Sequence, residues 1–160
     1  MEKELIILVG NIASGKSTMV KSLVKKGFRC VSRDGIRYSL GNGEYIFDAL
    51  CETAVRKSAQ RLALELVKSD IEKIVIDETN MSISSRSYYI TLAKAHDYKC
   101  VAIVMPQLSM NECVKRRLSN NHGTFTKEVW QEVWTNFYNR YEEPTLSEGF
   151  DEIIIKKDGR

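Results

Sequence analysis

The chain has 160 residues, 43% hydrophobic and 28% charged, with a formal net charge of +3. That length suits one domain, which buries roughly 70% of its unfolded surface and needs no disulfide or metal to hold a core. The composition excludes disorder, collagen and coiled coil, and the mildly basic balance permits a phosphate-bearing partner without requiring one.

The start, Met1-Glu2-Lys3-Glu4, is charged, and the apolar run behind it spans only Leu5 to Val9. This pattern predicts neither a signal peptide nor a membrane span. Leu5–Val9 reads as a buried strand, as do Phe28 to Ser32, Ile74 to Ile76, Cys100 to Met105 and Ile153 to Ile155. They are short, β-branched and nearly continuous, as strands covered on both faces must be. Amphipathic stretches lie between them: Lys16 to Lys26, Tyr45 to Lys68, Ser84 to His96, and Thr126 to Tyr141. Ser109-x-x-Glu112 has capping-box form and opens a further helix through Leu118. Strands alternating with helices predict βαβ units and an α/β fold: a five-stranded, mostly parallel sheet with helices on both faces. The polar stretch Ser119 to Thr126 is the expected mobile segment. Cys30, Cys51, Cys100 and Cys113 are scattered, with no C-x-x-C pair. Reduced thiols in a cytoplasmic protein are expected, rather than a structural zinc site.

Gly10-Asn11-Ile12-Ala13-Ser14-Gly15-Lys16-Ser17 follows the first strand and fits G-x-x-x-x-G-K-[ST]. The glycines let the backbone curl so that N–H groups face phosphate oxygens, and the following helix adds its N-terminal dipole. Lys16 is expected on the β- and γ-phosphates and Ser17 on Mg²⁺. Gly10, Asn11, Ala13, Ser14, Gly15, Lys16, Ser17 and Thr18 are the expected nucleotide-binding residues.

The second strand runs into Ser32-Arg33-Asp34-Gly35-Ile36-Arg37. The carboxyl ends of such strands face the nucleotide crevice, so Asp34 is placed near the γ-phosphate. Two readings of Asp34 stand: a base accepting the proton of an attacking hydroxyl, or a helix cap paired with an arginine. Arg37, one turn on, has the planar fork for a phosphate beside that hydroxyl. The third strand ends in Asp77-Glu78-Thr79-Asn80. Asp77 is the expected acid for the metal's water shell, while Glu78 points the other way if the strand continues. Thr79 and Asn80 are placed to orient phosphate or acceptor.

Together these motifs resemble the polynucleotide 5′-hydroxyl kinase family of P-loop phosphotransferases over nearly the whole chain. The segments that look familial are Gly10 to Thr18, Ser32-Arg33-Asp34 with Arg37, Asp77 to Asn80, Ser85 to Ala95, and the tail Tyr141 to Phe150. The resemblance implies a nucleoside-monophosphate-kinase-like P-loop fold filling residues 1–160, with a mobile lid around 115–127. It implies ATP and Mg²⁺ as cofactors, and Asp34 as general base on the acceptor hydroxyl. It places Arg37 on the acceptor's 3′ phosphate, Lys16 and Ser17 on ATP and Mg²⁺, and Asp77 in the metal's outer shell. The expected partner is nucleic acid, as a DNA or RNA 5′ end, with no membrane.

One departure bears on mechanism. Family members carry lid arginines in an R-x-x-x-R pattern, whereas here the positions four after Arg116 and Arg117 are Asn120 and Asn121. Arg116, Arg117 or Arg140 must then serve, or the chemistry differs. His122 in the lid tip reads as a solvated loop residue rather than a catalytic one. Trp130, Trp134, Phe137 and Tyr141 share a helix face, which reads as core packing before base stacking. Of Tyr88 and Tyr89, at most one is expected in the core. A 5′-hydroxyl kinase is the leading expectation. A kinase of another hydroxyl, such as a 5-hydroxymethyl pyrimidine in DNA or a small molecule, is the alternative. A nucleotide-dependent switch comes last.

Overall fold

β-branched and leucine side chains at Glu4–Val9 make the first strand, β1, and all of its residues from Leu5 onward are buried. Alternation sends them to opposite faces. Leu5, Ile7 and Val9 join one apolar cluster, and Ile6 and Leu8 join another. The structure, a computed structural model, describes residues 2–121 and 125–158. Of the expected lid tip, Asn120 to Gly123, the residues His122 and Gly123 lie outside the described residues.

Four more strands follow: β2 (Arg29–Ser32), β3 (Lys73–Asp77), β4 (Lys99–Val104) and β5 (Glu152–Ile155). They form one sheet in the order β2-β3-β1-β4-β5, with every pair parallel. The five-stranded parallel sheet is as expected. β2 begins at Arg29 rather than Phe28, whose ring packs into the second cluster instead.

The described residues also form six α-helices: α1 (Lys16–Lys25), α2 (Arg33–Leu40), α3 (Glu52–Lys68), α4 (Ile83–Ala95), α5 (Met110–Ser119) and α6 (Lys127–Arg140). α3 and α4 cover one face, through Ala59, Ala63, Val67, Tyr89, Ile90 and Ala93. Leu23 of α1, with Met19 and Val20, covers the other. α5 and α6 build a third cluster in which Cys113, Val114 and Trp130 close on Ile12 of the glycine-rich loop. This positions two helices directly against that loop.

The expected helix from Tyr45 begins later. Asp48 accepts the Leu50 N–H at 2.9 Å and nucleates one 3-10 turn, Ala49–Cys51, before α3 starts at Glu52. Tyr45 and Phe47 stay in the loop and turn toward the strand ends. α4 is capped one residue further back than Ser84 suggests is needed, by a Ser82–Ser85 capping box. Tyr89 is wholly buried and Tyr88 is partly buried, as expected of that pair. All four cysteines are free thiols. Among the described residues, no helix is long and apolar enough to cross a membrane.

Candidate active site

Parallel pairing aligns Ser32 with Asp77, and β1 lies beside β3. The residues following three strands therefore collect at one edge of the sheet. They line a cavity of about 350 Å³, together with residues of α5 and α6. Lys16, Asp34, Arg37, Asp77 and Arg117 all reach it.

The loop between β1 and α1 is shaped for close approach. A Cβ on Gly10 would stand 2.6 Å from Ser14 Oγ and 2.8 Å from Met105 Cβ, so only glycine fits there. Gly15 has φ 101°, a left-handed conformation that glycine adopts without strain. Lys16 Nζ donates to the carbonyls of Gly10 and Asn11, each at 2.7 Å. Burial pulls its ammonium down to about 8, and the Asp77 carboxylate opposes that shift. Asn11 Nδ2 donates to Trp134 O at 3.1 Å, which fastens the loop to α6. Ser17 and Thr18 lie exposed at the start of α1.

At the end of β2, Ser32 rather than Asp34 caps α2, accepting the Gly35 N–H at 3.1 Å. Asp34 is left free of capping and is half-exposed. It does pair with an arginine: Arg37 Nη1 donates to Asp34 Oδ1 at 2.7 Å. Arg37 is also gripped from the other side by Glu52, through Nε at 3.0 Å and through Nη2. Sequence reading alone does not find Glu52, because the two residues meet only when α2 and α3 fold across the intervening loop.

β3 ends at Asp77, so the alternation that would turn Glu78 away stops there, and both acids line the cavity. Burial pushes the Asp77 carboxyl above its ordinary value, with Lys16 opposing. Burial pushes Glu78 up as well, against the pull of Arg33, whose Nε lies 3.1 Å away. Tyr89 donates its hydroxyl to Glu78 at 3.1 Å. Asn80 is buried and donates to Leu8 O at 2.9 Å, while its Oδ1 has no hydrogen-bond partner among the described residues. Thr79 O accepts the Gly10 N–H at 3.0 Å, tying the acid segment to the glycine-rich loop.

The structure separates the two adjacent arginines of α5. Arg116 donates to Glu112 at 3.0 Å and to Ala13 O at 3.3 Å, outside the cavity lining. Arg117 lines the cavity, with its guanidinium 5.0 Å from the Trp130 ring centre and its buried Nε without a partner among the described residues. Burial lowers its pKa. Arg140 is exposed and off the cavity. Asn121 stands four residues after Arg117, where the family resemblance implies a second lid arginine. It donates to Phe125 O at 2.8 Å and accepts from Trp130 Nε1 at 3.0 Å. Of the aromatic face, Trp130 is core as expected, Trp134 and Phe137 pack partly buried against the same cluster, and Tyr141, just past α6, packs against another; Trp130 and Phe137 also wall the cavity with Tyr45, Phe47 and Phe125.

A glycine-rich loop holding a half-buried lysine, with an acid at the neighbouring strand end, is the arrangement of a P-loop phosphate site. A family model described as an AAA domain matches residues 5–144. The chain belongs to that family. The bifunctional polynucleotide phosphatase/kinase of Schizosaccharomyces pombe is 26% identical over 155 residues, covering 94% of this chain and 33% of that protein. The chain spans a third or less of the length of the curated relatives it matches. A chain of the Pnkp1/Rnl/Hen1 RNA repair complex superposes with a TM-score of 0.67 at 23% identity, over 88% of this chain and 46% of that one. Shikimate kinase of Acinetobacter baumannii gives 0.62 at 16% identity, over 98% of this chain and 86% of that one. These likenesses establish a P-loop kinase fold. The yeast relative's name agrees with the resemblance carried by the motifs.

Proposed function

We propose that this chain transfers the γ-phosphate of ATP to the 5′-hydroxyl of a DNA or RNA end. The observation that carries the proposal is the convergence of Lys16, Asp34, Asp77 and Arg117 on one cavity at the strand ends. The yeast relative's name as a polynucleotide phosphatase/kinase supports the acceptor class.

The Gly10–Thr18 cradle would hold the phosphates, with Lys16 leaving its carbonyl partners to meet them. Asp34 takes the proton of the acceptor hydroxyl as its oxygen bonds to the γ-phosphorus and the bond to the departing ADP oxygen breaks. Arg37 faces the phosphate beside that hydroxyl, and Arg117 steadies the charge on the transferring group. The residues present fit Mg²⁺ held largely by nucleotide phosphates, since the Ser17 hydroxyl is exposed at the start of α1 and the Asp77 carboxylate lines the cavity. Ser17 would be its protein ligand and Asp77 would hold its water shell. When bound, the ion neutralises charge on the phosphates.

The test is transfer of label from γ-labelled ATP to matched oligonucleotides bearing 5′-hydroxyl or 5′-phosphate ends, as RNA and as DNA. Label is expected only on 5′-hydroxyl ends, and Asp34→Ala is expected to lower the rate by about 10²–10⁴-fold. Label on 5′-phosphorylated duplex DNA containing 5-hydroxymethyl pyrimidines would move the acceptor to the base. ATP hydrolysis with no labelled nucleic acid would reject both acceptors.

A pH dependence follows from Lys16. Its ammonium, lowered to about 8 by burial, loses its proton as pH rises through that value. Phosphate binding needs the charged form, so affinity for a fluorescent ATP analogue should fall by up to about tenfold per pH unit above that point. Lys16→Met should bind weakly at every pH and lack this slope. A slope unchanged in Lys16→Met would assign it to another group.

A further inference from the structure

The Arg37 guanidinium bridges two carboxylates of different standing. Asp34 and Arg37 line the cavity, whereas Glu52 does not. Glu52 is the first residue of α3 and approaches Arg37 from behind, engaging Nε at 3.0 Å and also Nη2. That is the bidentate match between a planar fork and a carboxylate. The opposite nitrogen, Nη1, donates to Asp34 at 2.7 Å. The Phe47 ring centre lies 5.7 Å from Arg37 Cζ and covers the guanidinium further. The Arg37 side chain is 14% exposed, against 28% for Glu52. A long, flexible side chain is thereby held in one orientation by three neighbours.

We infer that Glu52 is a positioning residue for the acceptor half of the site, acting through Arg37. This rests on the proposed transfer reaction. Glu52 consumes the Nε edge of the guanidinium, which leaves Nη1 as the nitrogen presented to Asp34 and to the cavity. Without Glu52, Arg37 keeps its charge but loses its register, and Asp34 loses its fixed neighbour. The nucleotide half of the site, built from the β1–α1 loop and Lys16, does not touch Glu52. The loss should therefore fall on the acceptor and spare ATP.

The experiment is a double-mutant cycle on Arg37 and Glu52, read by transfer kinetics. Glu52→Ala should lower kcat/KM for a 5′-hydroxyl acceptor by about tenfold to a hundredfold, the usual effect of a small misplacement. The KM for ATP should stay within about twofold. Arg37→Ala combined with Glu52→Ala should be no worse than Arg37→Ala alone. Glu52→Gln keeps the shape with half the grip and should fall between wild type and Glu52→Ala, which also covers the case of a poorly folding alanine variant. Independent, multiplying losses would overturn the inference, as would an equal change in the KM for ATP.

A second measurement needs no turnover. Exchange of the Arg37 Nε–H with solvent, followed by nitrogen-15 NMR, should be slow in the wild type and fast in Glu52→Gln. Fast exchange in the wild type would sink the positioning role. Slow exchange that Glu52→Gln abolishes, in a protein that labels no 5′-hydroxyl, would reject the transfer reaction and keep the Glu52–Arg37 link.

Discussion

Arg117→Ala is expected to reduce phosphate transfer by about 10³-fold or more, while Arg116→Ala costs at most about tenfold. The two residues are adjacent in sequence and both sit in the last turn of α5. Their surroundings differ. Arg116 spends its donors on Glu112 and on the Ala13 carbonyl. Arg117 lies over Trp130 in the cavity wall, half-buried, with its buried Nε unpartnered among the described residues. A partly desolvated guanidinium with a donor to spare is suited to charge that develops on a phosphoryl group in flight. Arg117→Lys should recover little, because an ammonium lacks the planar fork and stacks poorly on an indole. Steady-state transfer rates at saturating ATP decide the matter. Equal losses at the two positions would mean that α5 acts as a unit and that neither arginine has a separate task.

The largest stability effect is expected at an ion pair outside the cavity lining. Arg86 of α4 is wholly buried and donates to both Glu148 oxygens, at 2.8 and 3.0 Å. Its Nη1 also serves the carbonyls of Asn80 at 2.9 Å and Met81 at 3.2 Å. Glu148 in turn accepts the Thr145 N–H at 2.8 Å. Removing one partner strands the other charge in the interior, so Glu148→Ala should lower the unfolding free energy by about 3–5 kcal/mol. At roughly 2–4 °C per kcal/mol for a chain of this size, the melting temperature should fall by about 10 °C. The paired change Arg86→Met with Glu148→Leu should be milder than Glu148→Ala, since apolar replacement of both partners leaves no stranded charge. Thermal and denaturant melts of the three proteins test this. A double variant as unstable as Glu148→Ala would show that the hydrogen bonds to the Asn80 and Met81 carbonyls, rather than the ion pair, hold the segment.

The glycine-rich loop is legible in the sequence because its constraint is local. Gly10 and Gly15 are required by backbone geometry within the loop itself, and the flanking strand and helix declare themselves by period. The strands read well for the same reason: Leu5 to Val9 and Ile74 to Ile76 are continuous apolar runs with no helical alternative at that length. Side-chain partners across long separations do not read this way. Glu52 and Arg37 stand 15 residues apart, and Arg86 and Glu148 62 apart. No spacing rule connects them. Glu78 is misplaced by periodicity because the rule holds only while the strand lasts, and β3 ends one residue earlier. Tyr45 and Phe47 look like the start of a helix by composition. Asp48 provides a stronger local cap, which leaves both rings in the loop and against the cavity. The resemblance to a family covers the nucleotide half of the site residue by residue. In the proposed acceptor half it does not disclose which carboxylate holds Arg37 or which arginine faces the cavity.

The central place of β1 has a cost during synthesis. Its hydrogen-bonding partners are β3 and β4, and the first residue to pair with it is Lys73. At about 5–20 residues per second, the ribosome leaves that apolar segment without a neighbour for several seconds. Throughout that interval the nascent chain displays a run of five apolar residues with both backbone edges open, the condition under which unfinished chains stick to one another. The strand that carries the phosphate loop therefore waits for β3, two strands later in the chain, before either of its edges is paired. Until β3 arrives, the glycine-rich loop has no paired strand to stand on.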